Sequence, residues 1–281
     1  MNQTVVELLE RNAEHASEFR SRFDDVQDAQ HPEAVTVCCS DSRVLQDEMW
    51  GNETPGHLFT CSNIGNRVVQ RTDGGEVVSG DVLYPLEHTG TEVAVVVGHT
   101  GCGAVTATYD ALTVTGDLSG PAGIEHCIDL LKSRLEGGVE ELPEDVDRTG
   151  AINRLVEYNV DRQVEALLES DDVPDGVTVV GVVYDFQDVY ADRRGEVHVV
   201  NVDWGAVRRG PPVGPLRGRV AGRSALGVLN RLGRPRPGRR TVDQRTAVDR
   251  RRPLGRDPPR ARSVAVRRCD RRRPASRPRT V

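Results

Sequence analysis

Apolar residues recur along this chain at two different periods, and the two alternate. Val5, Leu8, Leu9, Ala13, Ala16 and Phe19 fall three or four residues apart, which predicts an amphipathic helix over about residues 4–20. Ala34 to Cys38 is a short, mostly apolar run that reads as a buried strand, and His57 to Cys61 reads as a second. Residues 79–89 have a helical pattern with Ser79 as the expected cap, although Pro85 lies inside it. Val93 to Gly98 is apolar on both faces, as in a strand covered on either side of a parallel sheet. A glycine-rich turn follows from His99, and a helix is expected from about Ala104. Ile124 to Leu135 and Ala151 to Leu168 are two more amphipathic helices, the second with Thr149 as its expected cap. Val177 to Val183 predicts a fourth buried strand, and Glu196 to Val202 a last one at a sheet edge. Strands alternating with helices specify an α/β fold: a mainly parallel central β-sheet flanked by helices.

Charge divides the 281 residues into two unlike parts. Residues 1–205 hold 13 Lys and Arg against 39 Asp and Glu, a net of −26, and residues 206–281 hold 24 Arg against 4 Asp, a net of +20. The formal total of −6 therefore describes neither part. The first part is long enough to bury a full core. Its acidity, with Lys132 as the sole lysine, suits a salt-rich, halophilic cytoplasm in which hydrated carboxylates keep a protein dissolved. No apolar stretch reaches 18 residues, so no membrane span is expected. The start, Met1-Asn2-Gln3-Thr4-Val5-Val6-Glu7, has neither the basic opening nor the apolar block of a secretion signal. Six cysteines, two of them adjacent, do not form a disulfide framework, and a reducing cytoplasm is the expected location.

Two segments carry chemistry. Cys39-Ser40-Asp41-Ser42-Arg43 closes one predicted strand, and His99-Thr100-Gly101-Cys102-Gly103 closes another. Two thiolates and one imidazole are the donors of a zinc ion that keeps a fourth position open. Cys38 and Cys39 face opposite ways if the strand end is extended, and Cys39 is favoured because Asp41 and Arg43 continue on its side. Cys38 is then a buried non-ligand thiol. The two thiolates cancel the charge of Zn²⁺, so a neighbour that orients bound water gains importance. Asp41 can accept its hydrogen, and Arg43 can keep Asp41 ionised through a bidentate pair. The alternative is a structural zinc site closed by Asp41 or Cys61. Residue types alone also leave cobalt or iron open.

Together with Pro55-Gly56-His57-Leu58-Phe59, Asn63-Ile64-Gly65-Asn66, Tyr158-Asn159-Val160, Gln163-Val164 and Gly181-Val182-Val183-Tyr184-Asp185, these segments resemble the β-class carbonic anhydrases over about residues 1–203. The resemblance implies reversible hydration of carbon dioxide to bicarbonate and a proton by zinc-bound hydroxide, with one zinc per subunit. It assigns Cys39, His99 and Cys102 as ligands and Asp41 with Arg43 as the orienting dyad. Gln30, nine residues before the first ligand, stands where a glutamine often bonds the substrate oxygen. In a bicarbonate-regulated subset a tryptophan, an arginine and a tyrosine build an extra anion pocket. Here Tyr84 is taken as the tyrosine, while Thr36 and Ser62 replace the other two, so no such regulation is expected. The resemblance also implies an antiparallel edge strand on the mainly parallel sheet, and a homodimer or higher oligomer, with the N-terminal helix reaching to the partner. On the same scaffold the rival substrate is carbon disulfide or carbonyl sulfide.

The segment 206–281, rich in Arg, Pro and Gly, buries too little apolar surface to offset chain entropy. Its abrupt onset reads first as a shifted reading frame in a GC-rich gene; the competing readings are a segment folded back electrostatically on the acidic part and a disordered basic arm. Such an arm would make the chain a zinc-stabilised binding protein that contacts nucleic acid without sequence preference, since no aromatic residue follows Trp204. Activity and unfolding measured across KCl concentration test the halophilic expectation: both should fail as molar salt is withdrawn, and full stability in dilute buffer would remove it.

Overall fold

The computed structural model describes residues 2–115, 120–190, 193–203 and 223–224. Its elements in chain order are α1 (Gln3–Phe19), β1 (Ala34–Cys39), α2 (Gln46–Met49), β2 (Leu58–Asn63), β3 (Val69–Thr72), β4 (Gly75–Val78), α3 (Gly80–His88), β5 (Val93–His99), α4 (Gly103–Asp110), α5 (Ala122–Glu140), α6 (Arg148–Glu169), β6 (Thr178–Asp185), β7 (Glu196–Asp203) and β8 (Arg223–Ser224). The chain divides into two units, Met1–Arg234 and Pro235–Val281, and every described element belongs to the first. Apart from Arg223 and Ser224, the expected basic tail lies outside the described residues.

The central sheet has the order β2-β1-β5-β6-β7-β8. Strands β2, β1, β5 and β6 run parallel, and β7, which follows β6 without an intervening helix, runs antiparallel to it. Arg223 and Ser224 pair with Val199 and His198 outside β7. Among the described residues no helix is long and apolar enough to cross a membrane.

The pleat of β1 sorts its residues between two cores. Val35, Val37 and Cys39 join the larger cluster, which includes Leu155, Val156, Val160 and Val164 of α6. Cys38 joins the smaller cluster on the other face, with Val44, Val97 and Val182. Helix α6 lies close against the sheet because Gly98 has no side chain: a Cβ there would sit 2.7 Å from Val160 and 2.9 Å from Val156. The cap of α6 is Asp147, whose Oδ1 accepts from Gly150 N at 2.6 Å, and not Thr149. Both can cap, and the carboxylate two residues earlier adds favourable charge at the positive end of the helix dipole. The β3–β4 hairpin is absent from the sequence reading; its signal is Asp73-Gly74 between Val69-Gln70-Arg71-Thr72 and Gly75-Glu76-Val77-Val78.

Helix α3 forms despite Pro85, with Ser79 as its cap as expected. Proline has no N–H, so the carbonyl of Asp81 loses its intrahelical partner. Strand β2 supplies a substitute, because Cys61 Sγ donates to Asp81 O at 3.3 Å. Burial, followed by the charge of Asp81, pushes the Cys61 thiol up to about 12, so it remains a protonated donor. Cys61→Ala should therefore cost about 1 kcal/mol for the orphaned carbonyl, beyond the loss of packing. Cys61→Ser, which keeps a donor, should lose less. Urea unfolding midpoints of the two variants check this; equal losses would show that the bond contributes nothing.

Candidate metal centre

Strands β1 and β5 are parallel neighbours, so their C-terminal ends lie side by side at the same edge of the sheet, where open α/β sheets build their sites. Cys39 ends β1 and His99 ends β5. The chain then turns at Gly101, whose φ of 61° is in the left-handed region, and Cys102 becomes the N-cap of α4. This turn brings the third donor back: the ligating atoms of Cys39, His99 and Cys102 all lie within 4.8 Å of one another, and all three residues are buried.

The two sulfurs are 3.9 Å apart, and Cys102 Sγ–H donates to Cys39. That bond, with a further contribution from His99, lowers the Cys39 thiol to about 4, while it and burial raise Cys102. These are the two sulfurs that a metal would hold as thiolates. Backbone N–H groups of Ala104 and Val105 at the start of α4 favour charge on Cys102, as a helix N-terminus should. His99 Nδ1–H donates to Thr100 O at 3.0 Å, which fixes the tautomer and leaves the Nε2 lone pair free. Nε2 is buried and has no hydrogen-bond partner among the described residues.

These features fit zinc. Two sulfurs at 2.3 Å from a tetrahedral ion would stand about 3.8 Å apart, close to the 3.9 Å found. An orphaned imidazole nitrogen in the same cluster is the other donor such an ion needs. Cys61 takes no part, being engaged with Asp81 in α3, and Cys38 is buried on the opposite face with its thiol raised far above the usual range by desolvation.

Asp41 and Arg43 form the expected pair. Arg43 Nε donates to Asp41 Oδ1 at 2.8 Å, one terminal nitrogen donates to Oδ2 at 2.6 Å, and Arg43 N also donates to Oδ1 at 3.0 Å. These bonds hold the Asp41 carboxyl well below the usual carboxylate range. Asp41 Oδ2 stands 3.8 Å from His99 Nε2, at the edge of the donor cluster. Gln30 is not gathered in: it is exposed in the loop before β1 and makes no hydrogen bond to the described residues. Tyr84 is also misplaced. It packs beside Phe59, whose face of the sheet is that of Val35, whereas Gln46 links Thr36 and Ser62 on the opposite face. Tyr184 is the tyrosine on that second face, and the sequence carries no sign of which face a helix residue will meet.

The braces of the site come from α6. Asn153 Oδ1 accepts from Gly101 N at 2.9 Å. Asn159 Nδ2 donates to Gly65 O and to Asn66 Oδ1, each at 3.1 Å, and Gln163 Oε1 accepts from Val68 N at 2.9 Å. Gln163 also donates to Asn159, so one buried polar row on α6 holds the 65–68 segment. The backbone of Gly65 in turn donates to Cys39. Asn159 and Gln163 stand inside the matching motifs, yet their task is visible only in three dimensions.

Sequence and structure comparisons agree with this geometry. The family model for carbonic anhydrase matches residues 34–191. A carbonic anhydrase of Helicobacter pylori strain J99 is 31% identical over 98 residues, which are 34% of this chain and 44% of that protein. One of Pseudomonas aeruginosa is 30% identical over 145 residues, 52% of this chain and 63% of that protein. The chain thus spans less than two thirds of the length of these relatives. Among solved structures, the β-carbonic anhydrase CafA of Aspergillus fumigatus superposes with a TM-score of 0.56 at 25% identity, covering 74% of this chain and 91% of that one. A tetrameric β-carbonic anhydrase of Sordaria macrospora shares the fold, with a TM-score of 0.57 at 22% identity over 71% and 97% of the two chains. With more than half of its length inside the family model, the chain belongs to the carbonic anhydrase family and has the fold of the β class.

Proposed function

We propose that this chain hydrates carbon dioxide reversibly to bicarbonate and a proton, with zinc held by Cys39, His99 and Cys102. The observation that carries the reading is the convergence of these three donors beside a carboxylate already fixed by an arginine. Zinc, when bound, supplies Lewis acidity toward water at its open corner. The remaining work falls to the side chains. Asp41, kept ionised by Arg43, can only accept hydrogen bonds, so a water molecule beside it presents its hydrogen to Asp41 and turns a lone pair elsewhere. Arg43 grips both oxygens and prevents Asp41 from rotating toward other donors. Asp41 is mostly covered while Arg43 is about half exposed, so the carboxylate faces inward and the guanidinium faces solvent.

Stopped-flow measurement of carbon dioxide hydration tests the reading. The full chain should exceed the buffer rate, and Asp41→Ala should lower kcat by about a hundredfold or more if it handles a proton. Chelation should abolish the wild-type rate and zinc alone should restore it. A wild-type rate equal to buffer would defeat the proposal.

We further propose self-association. Helix α1 buries none of its residues, and Val5, Leu8 and Leu9 are exposed along its apolar stripe. A helix with this pattern needs a partner surface, and a second copy of the chain provides one. Leu8→Glu with Leu9→Glu should lower the mass found by sedimentation equilibrium; an unchanged mass would exclude α1 from the contact.

A further inference from the structure

Phe186 lies just beyond β6, outside every motif that the sequence offered. Its ring touches two parts of the metal centre. It stacks on the His99 imidazole, with centroids 5.5 Å apart and planes 24° apart, and the Arg43 guanidinium carbon lies over it, 4.6 Å from its centroid. Among the described residues Arg43 otherwise hydrogen-bonds Asp41 alone, and its side chain is 53% exposed, so this ring ties it to the body of the fold. Long exposed arginines lose considerable rotamer freedom when they are fixed, and an aromatic face under a guanidinium offsets part of that loss.

The backbone around Phe186 is held firmly. Phe186 N donates to Thr100 Oγ1 at 3.2 Å, and Thr100 Oγ1 donates to the buried Asp185 at 3.3 Å. Asp185 also accepts from Gln187 N at 2.9 Å and Tyr190 N at 2.8 Å. Tyr184 meets the ring edge-on at 6.0 Å. The ring is therefore placed by the same residue, Thr100, that fixes the His99 tautomer.

We propose that Phe186 is a positioning residue that acts through Arg43: its ring sets where the guanidinium sits, and so where Asp41 points. This rests on the proposed function for its kinetic consequence but not for its geometry. Removing an exposed cation–π contact should lower kcat about two- to fivefold.

The test compares Phe186→Leu with Phe186→Tyr in the full chain. The Arg43 Nε–H resonance, identified by its disappearance in Arg43→Lys, should lie upfield through the ring current. It should move downfield in the leucine variant and stay in the tyrosine variant. Phe186→Leu should lower kcat with KM and zinc content unchanged, and Phe186→Tyr should recover most of the loss. On the residual activity of Arg43→Ala, Phe186→Leu should have no further effect. A resonance indifferent to the ring, or a full loss persisting without Arg43, overturns the proposal. If the wild type hydrates no carbon dioxide, the functional reading fails, and the resonance alone upholds or overturns the clamp.

Discussion

Cys38 pairs with Val97 across the parallel ladder between β1 and β5, and that register decides which of two adjacent thiols meets the His99 turn. Side chains alternate along a strand, so a slip of one residue would exchange Cys38 for Cys39. The register is secured because both faces of β1 are buried. Val35 and Val37 pack toward α6, while Cys38 packs with Val97 and Val182 on the other side. A slip would send Thr36 into the larger core, where its hydroxyl would lose its bond to Gln46. The metal centre is thus specified by hydrophobic packing several residues away from it.

From that register the electrostatics follow. Two sulfurs and one imidazole nitrogen converge in a buried pocket at the strand ends, and the start of α4 adds oriented N–H groups beside Cys102. Asp41, a charged acceptor at the rim, has its direction fixed by Arg43 and not by the cluster. The strand ends carry the donors, and Phe186 joins the two groups, stacking on His99 while the guanidinium that grips Asp41 rests on it.

Much of this was legible before any coordinates. Strand runs such as Val93 to Gly98 have few alternatives, and Cys39, Asp41, Arg43, His99 and Cys102 are close enough in sequence to their strand ends that local geometry nearly settles their direction. What escaped depended on contacts between distant segments. Gln30, placed by its distance from Cys39 along the chain, is exposed in this single chain. Tyr84 was matched without knowledge of which face α3 covers. Phe186 shows no periodic or motif signal, because its importance comes from touching both His99 and Arg43. The helix around Pro85 was expected, but the donor that replaces its missing hydrogen bond, Cys61 on β2, was not.

The row of amides on α6 has a mechanical consequence. Asn153 grips the turn that carries Cys102, and Asn159 with Gln163 grips the segment that supports Cys39. Both walls of the cluster hang from one rigid rod, so a displacement of that rod moves them in common. A substitution that shifts α6 would therefore disturb the supports of Cys39 and of Cys102 together.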